Sequence, residues 1–214
     1  VARKRYLVGL DLGQVRDFTA VAILYRDVGA PHDRMPPVYA VPHLARFPLG
    51  TTYPEIVEQV RRMLTRPPLY DGLTSLVVDA TGVGRPVVDL FRSMFPSGVA
   101  PVTITSGSAV TQDPTGYWHV PKKELVSSLQ VLLQGRRLKI ANALREARVL
   151  VRELENFRVK VTASAHETFE AWREGDHDDL VFAVALAAWA GEQSLAQERE
   201  PADDEPAYTR VVVR

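Results

Sequence analysis

The sequence predicts a mixed α/β sheet with helices on both faces. Three observations predict it. Apolar runs of strand length open the chain, helices and strands then alternate, and the last long helix has no polar residue from Leu180 to Trp189. A helix apolar all round is buried all round, and layered α/β domains provide such a place. Ligand sites in open α/β sheets lie at strand ends.

Residues 5–12 read as a central strand, apolar on both faces. A short loop containing Gly13 leads to a second strand over 18–25. Residues 38–47 give a third, which Pro42 makes an edge or bulged strand. Tyr53 to Leu64 carries Ile56, Val57, Val60, Met63 and Leu64 on one stripe and reads as an amphipathic helix, ended by Pro67-Pro68. Ser75 to Asp79 is a buried strand. The turn Thr81-Gly82-Val83-Gly84 follows, then a helix with Pro86 near its first position. Ala100 to Thr105 is a strand, and Lys122–Gln134 and Ala143–Phe157 are helices. Val159–Thr162 and His166–Trp172 read as a hairpin. The closing helix runs from Asp178 to about Gln193, and a charged, Pro-broken tail follows that reads as disordered. The expected organisation is one domain over 1–195 and a tail over 196–214.

The 26 basic and 26 acidic residues cancel, so net charge neither suggests nor excludes a nucleic-acid partner. There is no cysteine, hence no disulfide and no thiolate ligand; a metal here would be bound by oxygen or histidine. No apolar run approaches the ~20 residues that span a bilayer, so no membrane partner is expected. The chain starts at Val1 and enters its first strand almost at once, and it reads like a domain cut from something longer.

The chemistry is concentrated in acids. Asp176, Asp178 and Asp179 stand at the head of the apolar closing helix, Asp11 ends the first strand and Asp79 ends the strand Leu76-Val77-Val78. Buried carboxylates need compensation, and a divalent cation supplies it if these segments converge. Two-metal nucleases place several carboxylates around ions about 3.5–4 Å apart, and hard oxygen ligands suit Mg²⁺ or Mn²⁺. Asp176 and Asp179, three apart, share a helical face, whereas Asp178 points about 100° away from Asp179. Taken singly, Asp176 or Asp178 also reads as an N-cap, with Asp179 complementing the helix dipole, and Asp79 as a turn residue.

These motifs resemble the nuclease domain of phage large terminases. Gly9-Leu-Asp11-Leu-Gly13 with Arg16-Asp17-Phe-Thr19 is similar to that family's opening strand, and Val77-Val-Asp79-Ala-Thr-Gly-Val-Gly84 to its second acidic strand. Tyr117-Trp-His-Val-Pro121-Lys-Lys is similar to the segment before its middle helix, and His177-Asp178-Asp179-Leu-Val181 to its closing motif. The resemblance covers about residues 5–193. It implies a ribonuclease H-like fold and an endonuclease that cuts concatemeric viral DNA during genome packaging, with two Mg²⁺ or Mn²⁺ ions on Asp11, Asp79 and Asp179. Asp176 or Asp178 would assist. The implied partners are double-stranded DNA, a packaging ATPase domain, the portal and the small terminase, and the implied setting is the host cytoplasm. The chain has no G-x-x-x-x-G-K-[ST] loop, since Gly82-Val-Gly84-Arg-Pro lacks the lysine and the hydroxyl residue. It therefore reads as the nuclease part alone, or as a relative without its motor.

Phosphate contacts are expected from basic clusters. Lys122 and Lys123 begin a predicted helix, and Arg145, Arg148 and Arg152 form a stripe on another. Two other functions compete. An actin- or sugar-kinase-like phosphotransferase also has an Asp-x-Gly after its first strand, but it leaves Asp178-Asp179 unexplained. A non-catalytic DNA-binding or docking module leaves the clustered acids without a role.

Overall fold

The computed structural model describes residues 3–13, 17–28, 36–70, 73–82, 85–95, 98–156 and 178–199. Among them β1 (Arg3–Asp11), β2 (Ala20–Val28), β3 (Tyr39–Arg46), β4 (Leu73–Asp79), β5 (Val99–Thr105), β6 (Thr111–Gln112), β7 (Trp118–Pro121) and β8 (Leu138–Ile140) form one sheet. Its order is β6-β7-β5-β4-β1-β2-β3-β8. β1, β4, β5 and β7 run parallel, β2 is antiparallel to both β1 and β3, β8 is parallel to β3, and β6 is antiparallel to β7. This is the mixed sheet that the sequence predicts.

Both faces are covered. α1 (Tyr53–Leu64) and α2 (Arg85–Met94) pack on one face, where Ile56, Val57, Val60, Val87 and Phe91 meet Tyr6, Val8 and Leu10 of β1. α3 (Lys122–Gln134), α4 (Ala147–Asn156) and α5 (Asp179–Arg199) cover the other, where Leu125, Leu129 and Leu150 join Leu7 and the apolar run of α5. The alternation of Tyr6, Val8 and Leu10 with Leu7 is the period-two pattern of a strand buried on both sides.

Every residue from Leu180 to Trp189 is buried, as the absence of polar residues requires. At roughly 1.5–3 kcal/mol for each large apolar side chain buried, this helix is a principal source of cohesion. Its far end is fitted as closely: a Cβ on Gly191 would lie 2.6 Å from the Tyr39 ring and 2.7 Å from Leu7. Tyr39 donates its hydroxyl to Glu192 at 2.8 Å, and Arg137 holds the same carboxylate at 2.7 and 3.1 Å.

Some boundaries differ from the expected ones. Ile23 pairs with His43 and Tyr25 with Ala40, so β3 carries an extra residue near Pro42. The strand is bulged there, and Pro42 also lies on an open edge among the described residues, because β8 pairs only with Tyr39–Val41 and stops short of the proline. α4 begins at Ala147, which leaves Arg145 in the preceding turn rather than on one helical stripe with Arg148 and Arg152. α5 continues to Arg199, into the expected tail. Strands β6, β7 and β8, of two to four residues, have no periodicity to read. The expected hairpin over 159–172, Asp176, His177 and the tail beyond 199 lie outside the described residues.

Candidate metal centre

Leu10 pairs with Val78 in the parallel β1–β4 ladder, so Asp11 and Asp79 emerge side by side at the ends of their strands. The two carboxyls hydrogen-bond to each other. Asp79 also accepts the Thr81 N–H at 2.8 Å, a turn interaction that ties the carboxylate to the backbone two residues on. Nearby, Thr19 Oγ1 accepts the Gly13 N–H at 3.1 Å and closes the loop beyond Asp11.

The head of α5 comes to the same end. Asp178 is the N-cap, its carbonyl accepting the Phe182 N–H at 3.0 Å, and Asp179 is the first helical residue. The two side chains diverge, as the helical angle predicts. Asp178 lies near Lys122 at the start of α3, whereas Asp179 Oδ2 lies 2.9 Å from Arg46 Nη2 at the end of β3. Arg46 also pairs with Glu153 of α4, whose second oxygen accepts the Val181 N–H at 3.1 Å.

The electrostatics follow from this crowding. Burial, then the charges of Asp79, Asp179 and Asp178, push Asp11 well above the usual carboxylate range. Burial raises Asp79 too, opposed by its hydrogen bonds to Thr81 and Asp11. Both shifts favour the protonated form of the Asp11–Asp79 pair. Burial also raises Asp178, opposed by Lys122, and pushes Glu153 up to about 7, opposed by Arg46 and the Val181 N–H. Lys122 is lowered by its burial and supported by Asp178 and Asp11.

Asp11, Asp79, Asp178 and Asp179 are thus gathered at one end of the sheet. Among the described residues, no three of the acids close into a ready-made chelate; Asp11 and Asp79 face each other while Asp179 faces Arg46. An oxygen-only donor set whose members raise one another's proton affinity is chemically suited to a hard divalent cation.

The other candidates divide. Lys122 is half-buried, with Nζ 4.9 Å above the Phe182 ring and its charge directed at the acids. Lys123 is half-buried, whereas Arg145 and Arg148 are exposed. Asp17 is exposed yet close enough to raise Asp178. His119 lies 3.6 Å from Asp113 in the β6–β7 connection and serves that turn. Sequence reasoning missed Arg46 and Glu153. Both left a signal: Arg46 falls two residues after buried Leu44, and Glu153 falls on the inner face of α4, three after Leu150.

The sequence profile of the terminase RNaseH-like domain matches residues 55–189, more than half of the chain. The chain belongs to this family. The match includes Asp79, Glu153, Asp178 and Asp179 and begins beyond Asp11. The large terminase subunits of Thermus phage G20c and Thermus virus P23-45 are each 27% identical to the chain over 203 residues, which is 94% of this chain and 35% of each relative. The chain spans about a third of the length of these curated relatives. The crystal structure of the large terminase nuclease from thermophilic phage G20c matches with a TM-score of 0.57 at 23% identity, covering 86% of this chain and 81% of that one. The large terminase nuclease domain of bacteriophage SPP1, solved with bound Mn, matches with a TM-score of 0.51 at 10% identity, covering 89% and 86%. At such identities the likeness speaks for the fold, and the fold is the ribonuclease H-like sheet of terminase nuclease domains.

Proposed function

We propose that this terminase-family domain is a metal-dependent endodeoxyribonuclease that cuts concatemeric viral DNA during genome packaging. The observation that carries the reading is the mutual crowding of Asp11 with Asp79, Asp179 and Asp178, drawn from three distant segments of the chain. The bound Mn of the SPP1 domain supports a divalent cofactor, which in this reading is two Mg²⁺ or Mn²⁺ ions, the number that two-metal hydrolysis uses. Asp11 and Asp79 would hold the ions from the sheet and Asp179 from the helix, with Asp178 or Asp176 assisting. When bound, such ions lower the pKa of water and stabilise the leaving oxygen.

The chain's own residues do the rest. Strand ends and a buried helix hold the acids with little freedom, which keeps the reacting groups oriented. Lys122 balances the negative charge of the acids. Lys123, Arg145 and Arg148 contact DNA phosphates, which positions the duplex without reading bases. Hydrolysis joins a water oxygen to phosphorus and breaks the bond from phosphorus to the leaving sugar oxygen, which takes up a proton. In this reading the domain works beside a packaging ATPase, the portal and the small terminase in the host cytoplasm; that the large terminase subunits it matches are about three times its length is consistent with a neighbouring domain.

Supercoiled plasmid incubated with the domain tests this. Mn²⁺ or Mg²⁺ should yield nicked and linear products, and EDTA should abolish them. Intact plasmid with both metals, or undiminished cutting in EDTA, would sink the proposal.

A further inference from the structure

Arg46 and Glu153 form, with the head of α5, a closed ring of contacts around Asp179. The Arg46 guanidinium bridges Glu153 Oε1 at 2.5 Å and Asp179 Oδ2 at 2.9 Å. Glu153 Oε2 accepts the Val181 N–H, two residues along from Asp179. The guanidinium carbon lies 5.0 Å over the centroid of the Phe18 ring. The three charged side chains are 16%, 6% and 7% exposed, so little water competes for them. They come from β3, α4 and α5, and no two are neighbours in sequence.

A carboxylate has two oxygens and about four lone-pair directions. With Oδ2 in an ion pair with a fixed, half-buried cation, the rotation of the carboxylate is restricted. Hydrogen-bonded partners that orient a ligating group typically carry 10–100-fold of metal affinity.

We infer that Arg46 is a positioning residue for Asp179, clamped in place by Glu153, and that the pair presets this carboxylate for a divalent cation. The inference rests on the proposed metal site and deepens it. Both carboxylates meet the same terminal nitrogen, Nη2, so one guanidinium charge is shared between them and it cannot be lost by deprotonation.

Mn²⁺ titration by calorimetry, with thermal melting in EDTA as the check on folding, tests this without reference to cleavage. The Kd for Mn²⁺ should rise about 10–100-fold in Arg46→Gln and recover in part in Arg46→Lys. Glu153→Gln keeps an acceptor for the Val181 N–H, remains informative if Arg46→Gln fails to fold, and should raise the Kd in the same direction by a smaller factor. A Kd within twofold of wild type in the folded variants, or tighter binding, would overturn the inference while leaving the metal site standing. It would mark Arg46 as a brace between helices or as a competitor of the metal. Wild-type protein that binds no Mn²⁺ would overturn both readings.

Discussion

Gly9 of β1 lies directly against Ala183 of α5. A Cβ at Gly9 would overlap the Ala183 carbonyl oxygen and stand 3.0 Å from the Ala187 nitrogen. The helix therefore rests on the strand's backbone without an intervening side chain. Two residues along β1 is Asp11, and one turn back along α5 is Asp179. The same close approach that buries the helix sets the spacing of the acids.

Gly9→Ala should therefore lift α5 and destabilise the fold by about 1–3 kcal/mol, as overpacked sites do. For a domain of this size that corresponds to a fall of roughly 2–4 °C in Tm per kcal/mol. Gly98→Ala is the control, since the nearest atom to its new Cβ is 3.9 Å away. Equal melting temperatures for the two variants would mean that α5 does not seat on β1 in this way.

Asp11→Asn should melt at or above wild type in EDTA at neutral pH. Burial and neighbouring acids raise the folded pKa of Asp11 above its ordinary 3.8. A raised acid contributes fully below that ordinary value, and its contribution is lost as pH rises through the folded pKa. At neutral pH the wild type bears this penalty and the amide does not. A clear drop in Tm would make Asp11 a structural acceptor instead.

The parts legible in the sequence were those with strong local signatures. α1 was readable to the residue because Ile56, Val57, Val60 and Leu64 repeat at helical spacing ahead of the prolines, although its capping Thr52 was not singled out. α5 and the strand-end acids Asp11 and Asp79 were readable because uninterrupted apolar runs leave little else possible. β8 was not, because three residues show no periodicity and the strand exists only through pairing with Tyr39–Val41. Arg46 and Glu153 were hidden for a different reason. Each resembles an ordinary solvated charge until the fold brings strand end and helix together.

Asp113 gives a pH test away from the site. Hydrogen bonds from the Thr115 hydroxyl and from the Tyr117 and Thr115 N–H groups hold it down at about 2. A depressed acid contributes above its ordinary pKa of 3.8 and loses that contribution as pH falls through about 2. Asp113→Ala should thus melt below wild type by a constant margin from pH 8 to about 5, and the margin should close as pH falls below about 4. A margin that persists at pH 2 would mean that the turn owes nothing to the charge.

Asp179→Asn should reduce cleavage more than Asp178→Asn, because Asp178 caps α5 with its backbone and faces Lys122, while Asp179 is held by Arg46. The ratio of single-turnover rates on plasmid measures this. The reverse ranking would move the principal helix ligand by one residue.

The most direct measurement is cleavage of supercoiled plasmid in Mn²⁺ by wild type and by the Asp11→Asn, Asp79→Asn and Asp179→Asn variants, each checked for folding by its melting curve in EDTA. A shared metal centre requires that wild type cut and that every one of the three folded variants lose cleavage by at least about 100-fold, the scale expected when a metal ligand or catalytic group is removed. A folded Asp79→Asn variant that cuts at the wild-type rate would contradict it.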